Sequence, residues 1–116
     1  MDKEINFLEK LAKAYQTYDA SIVADDLADD MHYASLWVFQ EMESKAEYLD
    51  YLNGKLQTLK NNNKRFDFKI VDGGKHSKAL LIDKVDGVDD RGSGFVVDFN
   101  EVGKVKMLNI TAPEFF

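Results

Sequence analysis

Few residues in this sequence could do chemistry, and their types limit what that chemistry could be. The chain has 116 residues with two histidines and no cysteine. Without thiolates there is no disulfide framework, cysteine nucleophile or thiolate zinc site, so a metal would need histidine and carboxylate ligands. His76 follows Gly73 and Gly74 in a turn, where we expect it to be exposed. We therefore predict no metal site and no cofactor.

Two acidic clusters could suggest cation binding. Residues 83–92 carry four aspartates around Gly87, but an EF-hand needs ligands at positions 1, 3 and 5, glycine at 6 and a glutamate at 12. This spacing does not fit, and we predict a solvated hairpin loop. The second cluster, residues 25–30, is expected to cap and follow a short helix with exposed carboxylates. Neither cluster predicts a site.

Phosphate and hydrolase motifs are absent from the sequence. There is no G-x-S-x-G elbow, Walker loop, G-x-G-x-x-G or H-E-x-x-H, and residues 91–94 lack the strand-then-helix setting of a phosphate loop. The net charge of −6 and pI near 4.8 oppose binding to nucleic acid or to anionic lipid. Acidic residues near Met1 are unlike a secretory signal, which predicts a cytoplasmic address.

Apolar spacing predicts three helices. Steps of three and four from Ile5 to Tyr18 predict the first helix, over about residues 3–18, and residues 22–27 predict a short second one capped by Asp19 and Ser21. Ser44 and Glu47 form a capping box that opens a third helix. Its apolar stripe is Leu49, Leu52, Leu56 and Leu59, flanked by Tyr48 and Tyr51. Gly54 in its middle suggests close packing.

The remaining segments predict strands. Residues 31–42 alternate as one strand or a short hairpin, with Tyr33, Ser35 and Trp37 on one face and His32 on the other. Four further strands are predicted over residues 66–71, 79–85, 94–99 and 104–111. The order ααβ(β)αββββ predicts one α+β domain over residues 1–116, with helices packed on a curved, mixed but mainly antiparallel sheet.

This order, together with two segments, resembles the NTF2-like superfamily, which includes ketosteroid isomerase and the SnoaL-like cyclases. Residues 22–33, with Leu27-Ala28-Asp29-Asp30 at their centre, look like the family's short helix, turn and first strand. Residues 97–105 look like its last hairpin. The resemblance spans essentially the whole chain, and both segments are structural.

The resemblance implies a pocket inside a cone, between the concave sheet face and the helices. The sheet would contribute aromatic and hydroxyl groups, and the helices would contribute mainly apolar ones. Such walls suit a small hydrophobic or aromatic molecule. The residues implied to line this pocket are Leu11, Tyr15, Tyr33, Ser35, Trp37, Leu52, Leu56 and Phe95.

The family's isomerase residues do not carry over. The position of the general-base aspartate falls at Ser35, which cannot act as that base. The two oxyanion-hole positions fall at Leu11 and Phe95. Tyr15 lies one helical turn from Leu11 and could still donate to a ligand. We therefore expect ligand binding without ketosteroid-isomerase-type catalysis.

Two alternatives stay open. A SnoaL-like acid/base enzyme would use Tyr15, His32 or Tyr33, although the strand pattern puts His32 on the face opposite Tyr33. A dimeric interaction module would use the outer sheet face, because residues 78–85 and 104–111 place apolar residues on both sides of their strands. We expect a homodimer through that face. Phe115 and Phe116 are expected to pack on the sheet or at the pocket mouth.

Overall fold

The computed structural model describes the backbone of residues 2–36 and 38–116, and the side chains of these residues except 2 and 38–40. Two helices and two strands precede a third helix, five further strands follow it, and a single turn of 3-10 helix comes after the last strand. The elements are α1 (Asp2–Thr17), α2 (Ser21–Ala24), β1 (Leu27–Ser35), β2 (Val38–Met42), α3 (Lys45–Asn61), β3 (Phe66–Asp72), β4 (Lys78–Val85), β5 (Val88–Asp89), β6 (Gly94–Phe99), β7 (Val105–Thr111) and the 3-10 turn (Pro113–Phe115).

One mixed sheet carries all of these strands. Its order is β2-β1-β7-β6-β4-β3, and the short β5 pairs with β4. The β1 and β7 strands run parallel, while every other pairing is antiparallel. Helices α1 and α3 pack on one face of the sheet. The predicted α+β class, with helices on a curved, mainly antiparallel sheet, is confirmed.

The helix signals in the sequence are borne out, with changes at the ends. The Ser44 side chain accepts from the Glu47 amide at 3.1 Å, and the Glu47 carboxylate accepts from the Glu43 amide at 3.4 Å. This is the predicted capping box, with its return bond one residue earlier. Asp19 accepts from both the amide and the hydroxyl of Ser21, at 3.0 and 2.6 Å, but the N-cap position of α2 is Ala20, which makes no side-chain cap bond, so the predicted cap lies one residue too early.

Several local predictions were wrong. Asp29 and Asp30 do not follow a helix, because α2 ends at Ala24 and β1 has already begun at Leu27. Gly54 does not mark close packing, since an added Cβ there would meet nothing within 4 Å. Tyr48, by contrast, flanks the apolar stripe of α3 as the sequence indicated, and its side chain is completely buried.

The acid-rich segment is more ordered than a solvated loop. Asp86 and Gly87, with φ of 53° and 80°, form the tight turn between β4 and β5. Asp83 lies in β4 and is 6% exposed, with its two oxygens 2.7 Å from Arg91 Nε and 3.8 Å from Lys69 Nζ. The prediction of a solvated loop was therefore wrong for Asp83.

The outer face of the sheet is covered in part by the C-terminal residues. Phe116 is 5% exposed and packs on Ala79 of β4 and Val96 of β6. A Cβ on Gly94 would lie 2.6 Å from Phe116 Cζ and 2.5 Å from Leu80 O, so this approach requires glycine. Of the two places predicted for the terminal aromatics, Phe116 takes the sheet, while Phe115 is 62% exposed.

Among the described residues, no helix is long and apolar enough to cross a membrane. The cytoplasmic address stays a prediction.

Candidate functional site

The structure brings most of the predicted pocket residues together between the helices and the sheet. Six of them belong to one buried cluster, and none of the six is more than 2% exposed. Ser35 is only partly buried at the end of β1, and Trp37 lies outside the described residues. The six are Leu11, Tyr15, Tyr33, Leu52, Leu56 and Phe95.

Two tyrosines of α3 extend this group on the inner face of the sheet. The Tyr33 ring lies 4.8 Å from the Tyr48 ring and 5.5 Å from the Tyr51 ring, measured between centroids. Tyr48 and Tyr51 are three residues apart, so α3 presents both rings to β1. We call Tyr15, Tyr33, Tyr48 and Tyr51 the tyrosine cluster.

The fourth member, Tyr15, is held by phenylalanines of the sheet. Its ring centroid lies 5.8 Å from Phe66, 6.0 Å from Phe68 and 5.4 Å from Phe95. Two of these contacts are edge-on and one is tilted, arrangements that aromatic quadrupoles favour over a face-to-face stack. The ring position of Tyr15 is therefore fixed by packing, and its hydroxyl is not free to turn away.

Two hydroxyls of the tyrosine cluster lack hydrogen-bond partners within the described part of the chain. Those of Tyr15 and Tyr48 are shut off from solvent and make no hydrogen bond. The Tyr33 hydroxyl is also shut off from solvent, but the hydroxyls of Tyr51 and Ser35 act on its pKa as hydrogen-bond partners. A buried hydroxyl without a partner costs about 1–3 kcal/mol, so two in one place call for an explanation.

Burial also fixes the protonation of these phenols. It raises the pKa of Tyr15, Tyr33 and Tyr48 well above the ordinary value of 10.0, because a buried phenolate would lose its hydration. The phenols also act on one another: a negative charge on Tyr48 or Tyr51 would raise the pKa of Tyr15 further. All three stay protonated at neutral pH, so they can donate hydrogen bonds but cannot serve as bases.

A lysine lies against the tyrosine cluster from α3. The Lys55 ammonium is 5.4 Å from the Tyr15 ring centroid and 5.7 Å from the Tyr51 ring centroid, within cation–π range of both. Lys55 and Tyr51 are each only partly buried, whereas Tyr15 is buried. Lys55 therefore marks the side on which the cluster is nearest to solvent.

The histidines lie away from the tyrosine cluster. His32 is on the outer face, as its strand position predicted, with its side chain 45% exposed and Nδ1 4.0 Å from a Glu41 oxygen. The expectation that His76 is exposed was wrong. Its side chain is 17% exposed, and Nε2 lies 3.4 Å from Asp98 Oδ2, while Nδ1 is buried without a partner. Neither imidazole can reach a molecule held by the cluster.

The inner core holds hydrogen-bond donors without an accompanying base. Within the part of the chain that the structure describes, the buried polar or charged side chains are Asp83 and Ser93, neither of which packs in this cluster, and no three acidic or histidine side chains gather as metal ligands would. Buried phenols can donate to a carbonyl or to a negatively charged oxygen. Proton abstraction from a bound molecule would need a group that these residues do not supply.

The depressions on the surface lie outside the tyrosine cluster. One of about 540 Å³ lies beside the end of α1 and is lined by residues that include Gln16, Tyr18 and Arg65. Another, of about 310 Å³, lies on the outer face beside His32 and Met107. Because the cluster itself is closed, a molecule could reach it only if packed side chains first moved apart.

The sequence contained a signal for the site residues that were missed. Tyr48, Tyr51 and Lys55 were not among the predicted pocket residues. They stand at i, i+3 and i+7 of one helix, on the same side as the buried Leu52 and Leu56. Each of the three directly precedes a leucine of the stripe, so including the residue before each leucine would have found them all.

Comparison with known proteins places the fold. No protein-family model matches the sequence, and no curated protein matches it. Solved structures do match. A SnoaL-like protein of unknown function from Burkholderia thailandensis shares 14% identity with a TM-score of 0.72, over 97% of this chain and 96% of that one.

Two further solved structures also match this chain in fold. A SnoaL-like family protein from Agrobacterium tumefaciens shares 15% identity with a TM-score of 0.63, over 97% of this chain and 98% of that one. An LEH-like epoxide hydrolase from M. tuberculosis shares 17% identity with a TM-score of 0.60, over 96% and 83%. Sequence identities this low establish similarity of fold only. The resemblance drawn from the sequence is confirmed at that level: this chain has the cone fold of the NTF2-like superfamily.

Proposed function

We propose that this protein binds a small planar molecule inside the cone, holding an oxygen of that molecule with the hydroxyls of Tyr15, Tyr33 and Tyr48. The observation that carries the proposal is that the buried hydroxyls of Tyr15 and Tyr48 have no hydrogen-bond partner among the described residues. A carbonyl or carboxylate oxygen has lone pairs to accept from them. The surrounding aromatic rings suit a flat hydrophobic body.

Plain packing is the simpler account of a buried tyrosine, but it does not favour tyrosine here. Phenylalanine has the same ring, and a Phe at Tyr48 would keep the contact with Tyr33 while avoiding the cost of a buried, unpaired hydroxyl. At Tyr18, by contrast, the hydroxyl donates to the Lys64 carbonyl, and tyrosine is explained within the fold. The inner tyrosines are explained once a ligand accepts from them.

Binding is a better account than acid/base catalysis. The position at which the family's isomerases carry their base is Ser35, and the two oxyanion positions are the fully buried Leu11 and Phe95. Of the candidates for a SnoaL-like reaction, His32 points to the outer face, and the raised pKa of Tyr15 and Tyr33 keeps both protonated. The residues support holding a molecule rather than transforming it.

The first experiment is a titration with acetophenone, a neutral aromatic ketone, followed by calorimetry and by the NMR shifts of the tyrosine rings. We expect saturable binding that is lost in Tyr33→Phe and Tyr48→Phe, both of which keep the rings. Tyr18→Phe is the matched control and should bind like the parent. Binding that is equally tight in all four proteins would overturn the role of the hydroxyls, and an absence of binding to the parent would overturn the proposal.

We also propose that a second copy of the chain covers the outer face of the sheet. Met107 of β7 is 38% exposed, and Leu36, just after β1, is 54% exposed, on either side of the depression that contains His32. Phe116 covers only the Ala79 and Val96 part of this face. Sedimentation at tens of micromolar should show a dimer for the parent and a monomer for Met107→Glu. A monomeric parent would contradict this.

A further inference from the structure

Lys55 differs from the ion-paired lysines of the molecule. Lys10 and Lys64 each hold a carboxylate at 3.0 Å, from Asp26 and Asp86 respectively. Among the side chains that the structure describes, Lys55 has no carboxylate within ion-pair distance, although the chain carries 21 acidic residues. Its contacts are instead the ring faces of Tyr15 and Tyr51. The charge of Lys55 is therefore left without a counter-ion beside the tyrosine cluster.

Every polar group described at this site can donate a hydrogen bond, and one carries a positive charge. The phenols of Tyr15, Tyr33 and Tyr48 are held protonated by burial and can donate as well as accept, whereas an ammonium group has three N–H bonds and no lone pair. A cationic ligand would meet a like charge, and a ligand with donors alone would leave the ammonium without an acceptor. A neutral carbonyl would satisfy hydroxyls but leave the ammonium as it is. A negatively charged acceptor would satisfy both.

The location of Lys55 fits the role of a counter-ion. It stands on α3 between Leu52 and Leu56, both fully buried, while its own side chain is only partly buried. A lysine side chain is long and flexible, so its ammonium can leave the ring faces and follow a charge that enters the cone. Because water is excluded from the surroundings of the cluster, such a charge contact is screened less than one at the surface.

We infer that the molecule bound by the tyrosine cluster is an aromatic carboxylate, held by the phenol hydroxyls and neutralised by Lys55. This inference rests on the proposed function and narrows its ligand class. The aromatic ring lies among the rings of Tyr15, Tyr51 and their neighbours, and the carboxylate oxygens accept from the hydroxyls. Lys55 sets the preference for the anion over a neutral ketone of the same size.

The test compares benzoate with acetophenone, which share the ring and a carbonyl and differ in charge. In calorimetric titrations at pH 7, the parent should bind benzoate about tenfold or more tighter than acetophenone, which corresponds to about 1.4 kcal/mol. Lys55→Gln should lose that preference and leave acetophenone affinity unchanged, while Lys55→Arg should keep it. Lys60→Gln, an exposed lysine of the same helix, is the control and should behave like the parent.

The outcomes separate the two proposals. Acetophenone bound as tightly as benzoate, with no effect of Lys55→Gln, would overturn the anion preference and leave the ketone-binding cluster standing. Binding of neither compound would overturn both. A loss of benzoate affinity in Lys55→Gln matched by an equal loss for acetophenone would show that Lys55 acts through packing, and would also overturn its role as counter-ion. Circular dichroism checks that each variant is folded.

Discussion

Two buried polar sites on opposite faces of the sheet differ in whether the chain satisfies them. On the outer face, the buried carboxylate of Asp83 has cations on both oxygens, Arg91 Nε at 2.7 Å and Lys69 Nζ at 3.8 Å. On the inner face, the hydroxyls of Tyr15 and Tyr48 are just as inaccessible and find no partner in the described part of the chain. The buried charge is paired from within the chain and the buried phenols are not, although the outer face also has one unpartnered atom, His76 Nδ1.

The difference separates what the fold needs from what a ligand would need. Buried polar groups in native proteins are normally paired, because leaving one unpaired costs more than replacing it by an apolar group. Asp83 follows that rule, and it therefore needs no role beyond stability. The inner hydroxyls of Tyr15 and Tyr48 break the rule within one cluster, which is the pattern of a site that is completed by another molecule.

The largest expected effect belongs to the outer face. Phe116→Ala should lower the free energy of unfolding by about 3 kcal/mol, because a large side chain at 5% exposure leaves Ala79 and Val96 uncovered. Phe115→Ala, at a position 62% exposed, is the matched control and should change it by less than about 0.5 kcal/mol. Urea unfolding measures both. Equal effects at the two positions would show that Phe116 does not cover this face.

The second prediction concerns the inner face and has the opposite sign. In ligand-free protein, Tyr48→Phe should raise the free energy of unfolding by about 1 kcal/mol, because it removes a buried hydroxyl that has no partner. Tyr18→Phe should lower it by a similar amount, about 1 kcal/mol, because it deletes a hydrogen bond to the Lys64 carbonyl. Urea unfolding of the two variants side by side is the measurement.

If Tyr48→Phe and Tyr18→Phe change the free energy of unfolding in the same direction, the contrast between the two faces of the sheet is contradicted. If Tyr48→Phe is destabilising like Tyr18→Phe, the Tyr48 hydroxyl is satisfied in the ligand-free protein, by ordered water for example, and the two faces do not differ as described. If it is stabilising and also abolishes acetophenone binding, the hydroxyl serves the ligand at the expense of the fold. Such an exchange is common at functional sites.

Much of the fold could be predicted because local signals and burial agree. The predicted ends of β6 matched the structure, those of β3, β4 and β7 came within a residue, and the capping box at Ser44 marked the start of α3. The ends that were missed lie where signals conflict. Asp29 and Asp30 are poor strand formers by type, yet they lie inside β1, at the irregularity between its pairings with β7 at Leu27 and at His32. The paired residues on either side carry the strand through them.

The site was predicted less completely, for a reason that is also physical. Periodicity identifies which residues face inward, and the structure places Tyr15, Tyr33 and Leu56, which the family resemblance assigned to a pocket, in one buried cluster. It does not show whether a buried hydroxyl finds a partner, which depends on contacts between elements distant in sequence. His76 illustrates the same limit, because a turn position suggested exposure while Asp98 of β6 and the amide contact to Phe116 hold it half-buried.

The smallest expected effect concerns the ion-paired Asp83 on the outer face, and it is measured as the dependence of stability on pH. The hydrogen bond from Arg91 holds the pKa of the Asp83 carboxyl below its ordinary value of 3.8, with Lys69 acting in the same direction. A pKa lowered by folding contributes stability above the unfolded value and loses it as the pH falls through the folded value. Arg91→Gln should therefore lower the urea midpoint at pH 7, and this difference should shrink as the pH falls below about 3.8.

Arg65→Gln, at an exposed arginine whose side chain makes no described ion pair, is the control. The effect should be modest because Arg91 is half-exposed and Lys69 remains. A difference that persists unchanged at low pH would mean that Arg91 acts through packing rather than charge, and the outer face would then not be the electrostatically paired counterpart of the tyrosine cluster.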